Sequence, residues 1–285
     1  MNKTTIAPQV SGFITSFIRK NKTAVASAPV LKAAIRMPYA PFKFDASLTV
    51  GCPFEVEASP DLHQWTLIFS GTAEDDLLQY VDPDASKFGV RFYRATCGGL
   101  ASRNLIGYAM QTLPPGFSMV ANPFRASDNT IAALFPNMPE ATTLCKFDTN
   151  LFRLNNNAVK NGIWTKPDEE LLPGEGAIVF NPTNNFKTLS FSGEVIQGLL
   201  ENPIPAGLSI RSSLVPQSGR LHSDLGMAMT EGDVIHIFDR DQQKYVIHPY
   251  SAKAWEINEP VVAIGEAFWI GKTNPGNWVR HFEAA

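Results

Sequence analysis

One sequence feature restricts the fold more than any other: residues 113–194 align with residues 204–285 without a gap, at a constant offset of 91. The first copy opens with LPPGFSMVANP and the second with IPAGLSIRSSL. Several identities at one constant separation are hard to obtain by chance, so the region is a tandem duplication. The recurring positions are mostly residue types that build turns and cores. They are Gly116 and Gly207, Phe147 and Phe238, Trp164 and Trp255, Gly174 and Gly265, Glu175 and Glu266, and Phe191 and Phe282.

Each copy has the pattern of short strands joined by turns. A PxGxS turn opens the first strand, and a strand ending in Phe-Asp leads through a variable loop to the tryptophan. A Gly-Glu turn then starts an alternating strand. This pattern is typical of a small antiparallel β-sandwich or a jelly-roll-like unit. Because about 80 residues make a marginal core alone, the alternative is that both copies share one sheet system.

Residues 45–100 also contain strand patterns separated by turn signals. The run PFEVEAS alternates apolar with polar residues, which is the period of a half-buried strand. Pairing this run antiparallel with VRFYRATC places Phe54 opposite Ala95 and sets Cys52 opposite Cys97. The two cysteines are therefore a candidate disulfide, and two small buried thiols are the alternative.

Two strings in this segment, EASPDLHQWTLI and YVDPDASKFGVRFYRA, resemble a recurrent segment of predicted surface proteins of verrucomicrobial-type bacteria. The matching residues are Ser59, Asp61, Leu62, Trp65, Asp82, Asp84, Arg91, Phe92, Tyr93 and Arg94. The duplicated region is similar to tandem modules of the same proteins in its PxGxS turn, tryptophan, GEG or GEA turn and closing aromatic. The resemblance implies a fibronectin type III-like or immunoglobulin-like β-sandwich followed by two β modules, and it implies no chemistry.

The first 44 residues carry seven basic and no acidic residues, whereas the remaining 17 basic and 27 acidic residues give −10. Apolar residues spaced i, i+3, i+4, i+7 and i+8 predict an amphipathic helix that ends in two basic residues. Its residues are Val10, Phe13, Ile14, Phe17, Ile18, Arg19 and Lys20. The helix either packs on its own domain, serves as a transit peptide, or acts as an arm that docks on a neighbouring subunit. Polar residues interrupt the apolar stretch, which argues against a standard signal peptide.

Residues that carry chemistry do not cluster along the sequence. The five histidines lack metal-binding spacings, and the phosphate-binding glycine motifs and the GxSxG nucleophile motif are missing. The aspartate pairs in DPDAS and DRDQ lack the glycine and distal glutamate of a calcium loop, which favours turns. Asp148 and Asp239 are expected to form turns, and Glu175 and Glu266 to accept backbone N–H groups. The sequence therefore predicts no catalytic residue, no metal site and no cofactor.

Two tryptophans of the second copy, Trp269 and Trp278, are candidate glycan contacts, because exposed aromatic rings stack on sugars. Packing in the core is the favoured interpretation, since large aromatic side chains are usually buried.

Together the patterns predict an all-β fold of tandem β-sandwich or jelly-roll-like modules, with a short N-terminal helix and an extended arm. The predicted units are a basic arm over 1–44, a fibronectin III/Ig-like segment over 45–100, and β modules over 101–200 and 201–285. We expect a non-catalytic structural protein that associates with copies of itself and other subunits, in a virion or tail particle, a surface layer or a filament. A glycan- or surface-binding adhesin is the alternative. Aromatics do not interleave with the basic residues of the leader, which favours protein over nucleic acid, and no apolar run predicts a membrane span.

Overall fold

The computed structural model describes residues 25–284, so the predicted N-terminal helix and its arm residues from Val10 to Lys20 lie outside the described residues. Within this range the protein is nearly all β and its strands pair antiparallel, which confirms the predicted fold class.

The strands fall into three groups along the chain. The first group is β1 (Leu31–Ala33), β2 (Phe42–Ser47), β3 (Pro53–Ser59), β4 (Thr66–Thr72), β5 (Leu77–Asp82), a 3₁₀ helix (Pro83–Lys87), β6 (Val90–Cys97) and β7 (Leu100–Ala101). Copy 1 consists of β8 (Leu105–Leu113), β9 (Gly116–Val120), α1 (Ile131–Leu134), β10 (Thr143–Asp148), β11 (Arg153–Lys160), β12 (Ile163–Trp164), β13 (Ala177–Asn181) and β14 (Lys187–Val195). Copy 2 consists of β15 (Gly198–Ile204), β16 (Gly207–Ser212), β17 (Gly219–Arg220), β18 (Val234–Asp239), β19 (Lys244–Ser251), β20 (Ala254–Trp255), β21 (Val261–Val262), β22 (Ala267–Lys272) and β23 (Gly276–Phe282).

A central sheet with the order β14-β8-β6-β3-β4 lies between two other sheets. On one side is the sheet β1-β2-β5, and the core between them includes Phe42, Val56 and Tyr93. On the other side is the sheet β12-β11-β10-β13-β9 of copy 1, and the core between them includes Leu144 and Phe191. Copy 2 has its own five-stranded sheet, β16-β22-β18-β19-β20, and the two-stranded ribbons β15-β23 and β17-β21.

Strand β8 is buried on both faces. Ile106 and Tyr108 belong to the core under β1-β2-β5, whereas Leu105 and Ala109 belong to the core of copy 1. This follows from the period of two in a strand, since successive side chains point to opposite faces. The central sheet therefore combines strands from the predicted units 45–100 and 101–200.

The predicted basic arm is shorter than expected. Residues 31–44 form β1 and the start of β2, and Phe42 and Phe44 are buried. Arg36, counted among the basic residues of the arm, is also buried. The arm prediction is wrong for residues 31–44, because alternate apolar side chains there complete the first core.

The predicted register between β3 and β6 is also wrong, by two residues. Phe54 lies opposite Cys97 rather than Ala95, and Val56 lies opposite Ala95. Cys52 and Cys97 are free thiols, so the candidate disulfide is not formed. A shift of two residues keeps every side chain on its own face, and apolar alternation therefore cannot distinguish the two registers.

Copy 2 repeats the strand pairing of copy 1 at the offset of 91 residues. In copy 1 Leu144 of β10 lies opposite Val179 of β13, and in copy 2 Ile235 of β18 lies opposite Ile270 of β22. The ladders β10-β11 and β11-β12 recur as β18-β19 and β19-β20 in equivalent registers. The sequence duplication is thus a duplication of structure.

The equivalence changes in the last hairpin of each copy. The loop between β22 and β23 is two residues shorter than the loop between β13 and β14. Phe191 lies opposite Ala109, whereas Leu200, the equivalent of Ala109, lies opposite Arg280. Phe191 and Phe282 are therefore not equivalent in the sheets, although both lie in one core. This corrects the gapless alignment, which again missed a shift of two residues.

Candidate functional site

The two copies contact each other through reciprocal main-chain hydrogen bonds. The amide of Ala121 in copy 1 donates to the carbonyl of Gly265 in copy 2, at 2.7 Å. At the equivalent positions, the amide of Ser212 donates to the carbonyl of Gly174, at 3.0 Å. Contacts that recur with the two units exchanged are characteristic of a two-fold interface. The copies are therefore arranged like a symmetric dimer within one chain.

Two buried side-chain amides extend this pattern. Gln111 Nε2 donates to the carbonyl of Ile264 at 3.1 Å, and Asn202 Nδ2 donates to the carbonyl of Gly174 at 3.2 Å. Gln111 and Asn202 are separated by the same offset of 91 but precede the aligned stretches. The sequence analysis missed them, and extending the alignment by two residues towards the N terminus would have included them.

The Gly-Glu turns lie at this interface, which explains why their glycines recur. Gly174 has φ +89° and Gly265 has φ +73°, conformations that side chains with a Cβ rarely adopt. A Cβ on Gly265 would overlap the side-chain amide of Gln111, and a Cβ on Gly174 would lie 2.9 Å from Asn202 Nδ2. Both glycines are therefore needed for the turn and for the approach of the other copy.

An apolar cluster fills the space between the copies. It consists of Met119, Ala121, Ile210, Phe238 and Ala267, with Phe147, Ile178 and Trp269 packed against it. Within this cluster Met119 is equivalent to Ile210, Phe147 to Phe238, and Ile178 to Trp269. Leu144 and Val179, on the same strands, face the core of copy 1 instead. Each five-stranded sheet thus buries one face in its own module and part of the other against the second copy.

The acidic residues retained in both copies accept backbone hydrogen bonds. Glu175 Oε2 accepts from the amide of Leu172 at 2.9 Å, and Glu266 Oε2 accepts from the amide of Ala263 at 2.8 Å. Burial raises the pKa of the Glu266 carboxyl, although its bond to the backbone acts in the opposite direction. These carboxylates are engaged in forming the Gly-Glu turns.

The two aspartates that follow the Phe-Asp strands also form turns. Asp148 Oδ1 accepts from the amides of Asn150 and Leu151, and Asp239 Oδ1 accepts in the same way from the next turn of copy 2. The bond from the Leu151 amide lowers the pKa of Asp148. Within residues 25–284, no three His, Cys, Asp or Glu side chains cluster closely enough to hold a metal ion.

The residues of the DPDA and RFYRA strings form a buried polar cluster in the first core. Asp82 Oδ2 accepts from the Tyr93 hydroxyl at 2.8 Å and pairs with Arg91 Nε at 3.0 Å. The Arg36 guanidinium lies 3.8 Å from the ring centre of Tyr108. Burial raises the pKa of Tyr108 to about 12, so this phenol stays protonated at neutral pH. The cluster joins β5, β6 and β8 and has the geometry of packing rather than of a cleft.

The two tryptophans considered as glycan contacts do not form a flat exposed surface. Trp278 is buried and its Nε1 donates to the carbonyl of Leu225 at 2.8 Å, which contradicts the candidate glycan contact and agrees with the favoured core packing. Trp269 is half-buried, donates to the Tyr245 hydroxyl at 3.1 Å, and meets Phe147 edge-on at 74°. Alternation along β23 turns Trp278 inward, which the sequence pattern allowed but did not specify.

One cavity of about 270 Å³ lies between the first strand group (β1 to β7) and copy 2. Asp61, His63 and Asp224 form part of its lining. Asp61 accepts from the backbone amides of His63 and Gln64, and these bonds lower its pKa. Asp224 pairs with Arg220 at 3.0 Å. The carboxylates of this cavity are therefore already bonded within the protein.

Neither the family models nor the curated proteins include a match to this chain. Among solved structures, the chain is similar to a tetra-tandem repeat from the extending region of a large adhesion protein, at 10% sequence identity and a TM-score of 0.25. The similarity covers 92% of this chain and 75% of that chain. At this TM-score it carries no argument about fold or function. Within residues 25–284, no helix has the length and apolar character needed to cross a membrane.

Proposed function

We propose that this protein is a non-catalytic structural protein that associates with copies of itself, and with other subunits, into a larger assembly. The observation that carries the proposal is the reciprocal interface between the copies. Among the retained residues, the glycines and glutamates of the Gly-Glu turns contact backbone groups, and Phe147 and Phe238 pack in the apolar cluster between the copies. A scaffold needs such residues, whereas a catalyst needs polar groups directed at a substrate.

The charge distribution supports association between copies. Residues 1–24 carry four basic and no acidic residues, and the remaining 20 basic and 27 acidic residues give −7, so the basic segment of one molecule is attracted to the acidic body of another. A virion or tail particle, a surface layer and a filament all fit this proposal. The resemblance to surface proteins of verrucomicrobial-type bacteria favours the surface layer or filament.

Light scattering coupled to size exclusion tests the proposal on the full chain and on a variant with residues 1–24 deleted. The truncation should end before residue 25, because a start at residue 45 would remove β1 and half of β2. We expect the full chain to show a mass above the monomer that rises with concentration, and the deletion to weaken this association most at low salt. A monomer at every concentration in both proteins would refute self-association.

A further inference from the structure

Strands β8 and β15 are equivalent in the two copies but have different neighbours. β8 lies between β14 and β6, with Tyr108 opposite Arg91 and Gly107 opposite Phe92. β15 pairs with β23, and no second strand pairs with it anywhere in residues 25–284. The edge that β6 covers in copy 1 is therefore open in copy 2.

The main-chain groups on this open edge can be assigned by comparison with copy 1. The amide of Met110 in β8 donates to the carbonyl of Gly89, at the start of β6. The residue equivalent to Met110 is Glu201. Alternation places Leu199 and Pro203 on the same edge, where a proline does not interrupt the ladder to β23. The Pro203 carbonyl accepts from Arg211 Nε at 3.2 Å, so the open part of the edge is at Leu199 and Glu201. Because the Met110 amide points to β6 and not to β14, the equivalent Glu201 amide points to the open edge and not to β23.

The exposure of side chains also differs between β8 and β15. Tyr108 in β8 is fully buried, whereas its equivalent in β15, Leu199, is 67% exposed. Val279 on the neighbouring strand β23 is 45% exposed. Copy 2 thus exposes apolar side chains beside this edge, at the place where copy 1 is covered by the first strand group; the edge itself also carries Glu201 and Pro203.

A second open edge lies at the far end of the central sheet. β4 pairs with β3 and with no other strand of the described chain. Its sequence TLIFSGT contains no charged residue and no proline, the features that commonly protect an edge strand from pairing. Leu67 and Phe69 are 52% and 41% exposed. The register is irregular at Ile68, and residues 69–72 continue as a regular strand.

The outward main-chain groups of β4 also follow from its contacts. The amide of Ala73 donates to the carbonyl of Cys52, so residue 73 faces β3. By alternation Gly71 faces β3 too, and Ser70 and Thr72 direct their main-chain groups to the open edge.

We propose that β4 of a second copy of this chain pairs with β15, so that molecules join head to tail. The joined sheet has the order β23-β15-β4-β3-β6-β8-β14 across two molecules. It reproduces copy 1, where a strand of the same central sheet covers β8. Because β4 and β15 are different surfaces, each added molecule leaves one of each free, and growth gives an open filament or a closed ring. This inference rests on the proposed self-association and specifies its interface.

Two proline substitutions in the full chain block the two edges separately. Ser70→Pro removes an outward amide from β4, and Glu201→Pro removes one from β15, while the ladders to β3 and β23 keep their hydrogen bonds. The matched controls are Ser70→Ala and Glu201→Ala, which keep the amides. We expect both controls to assemble like the wild type and both proline variants to be monomers by light scattering.

Mixing the two proline variants gives the decisive result. The free β15 of Ser70→Pro and the free β4 of Glu201→Pro should pair, and the mixture should stop at a 1:1 dimer. This dimer also shows that both variants are folded. Dimers of each variant alone would indicate like-with-like pairing and overturn the head-to-tail interface.

The remaining outcomes separate this inference from the proposed function. If the wild type assembles and both proline variants assemble equally well, self-association stands and the β4–β15 interface is refuted. If Glu201→Pro and deletion of residues 1–24 abolish assembly but Ser70→Pro does not, the N-terminal segment covers β15, and the role of β4 is refuted. If the wild type is a monomer at every concentration, both proposals fail.

Discussion

The five-stranded sheets of copies 1 and 2 share their strand order and registers, but the copies fill one pair of equivalent buried positions with different chemistry. Copy 1 has Thr142 and Asn181, and the Asn181 amide donates to backbone carbonyls such as that of Asn185, at 2.8 Å. Copy 2 has Asp233 and Lys272 at these positions, where they form an ion pair with side chains only 0% and 4% exposed. Hydroxyls and amides of Thr230 and Thr273 also bond to Asp233.

The comparison shows which parts of the duplicated module are free to change. Inside each copy the pair of positions has changed together: Asp233 and Lys272 satisfy each other in copy 2, whereas Asn181 bonds to backbone carbonyls in copy 1. At the interface, Gly174 and Gly265 each contact the opposite copy, so a change in either affects both modules. These two glycines are therefore expected to resist change more than the paired positions inside each copy.

Replacing Asp233 should have the largest effect. Asp233→Ala leaves Lys272 buried without its partner, and we expect the free energy of unfolding to fall by about 3–5 kcal/mol. Thr142→Ala, at the equivalent position, should cost less than about 1 kcal/mol, because the Thr142 hydroxyl has no hydrogen-bond partner within residues 25–284. Urea unfolding followed by tryptophan fluorescence measures both. Equal losses would show that the buried ion pair is not special to copy 2.

The recurring tryptophans should differ by about 2 kcal/mol. Trp164 is buried and its Nε1 donates to the carbonyl of Phe135 at 3.0 Å. Trp255 is half-buried, and its Nε1 finds no hydrogen-bond partner in the described part of the chain. We expect Trp164→Ala to cost about 3–5 kcal/mol and Trp255→Ala about 1–3 kcal/mol in the same unfolding experiment. The reverse order would contradict this account of the two copies.

A glycine to alanine exchange tests the contact between the copies. A Cβ on Gly176 would lie 2.5 Å from the Cβ of Ala267, its own equivalent in copy 2, and 2.5 Å from Cγ2 of Ile210. Gly176→Ala should therefore lower the free energy of unfolding by about 1–3 kcal/mol. The double variant with Gly176→Ala and Ala267→Gly removes the overlap with residue 267 but keeps the one with Ile210, so it should recover part of the loss. A double variant as unstable as the single one would contradict the symmetric contact.

The ion pair of Asp233 and Lys272 should also make the stability of the fold depend on pH, and this effect should be the smallest of the four. Burial alone would raise the pKa of Asp233, but bonds from Lys272, Thr230 and Thr273 lower it below its usual value. Because the pKa of Asp233 is lower in the folded chain, its ionised carboxylate stabilises the fold at pH values above the unfolded carboxyl pKa of about 3.9. This stabilisation is lost as the pH falls through the pKa of the folded chain. The double variant Asp233→Thr with Lys272→Asn lacks this carboxylate, so acidification from pH 7 should remove less of its free energy of unfolding. Its midpoint of acid unfolding should therefore lie at a lower pH than that of the wild type. Circular dichroism between pH 7 and pH 2 measures the midpoint, and an unchanged midpoint would contradict the prediction.

The sequence alone was sufficient for the duplication, the all-β class and the roles of the retained acidic residues. These depend on local rules: apolar alternation marks strands, and Asp and Glu near tight turns accept backbone amides. Glu175 and Glu266 accept hydrogen bonds from backbone amides in the folded chain, as predicted from the Gly-Glu sequence.

The tertiary structure alone decided the registers, the position of Trp278 and the partner on the second face of each sheet. Both register errors, at Phe54 and at Phe282, were shifts of two residues, which leave the alternation unchanged. The pattern of a strand also tells which side chains share a face, but not whether water, its own module or the other copy covers that face. Gln111 and Asn202 show the consequence: their role exists only because the two copies meet.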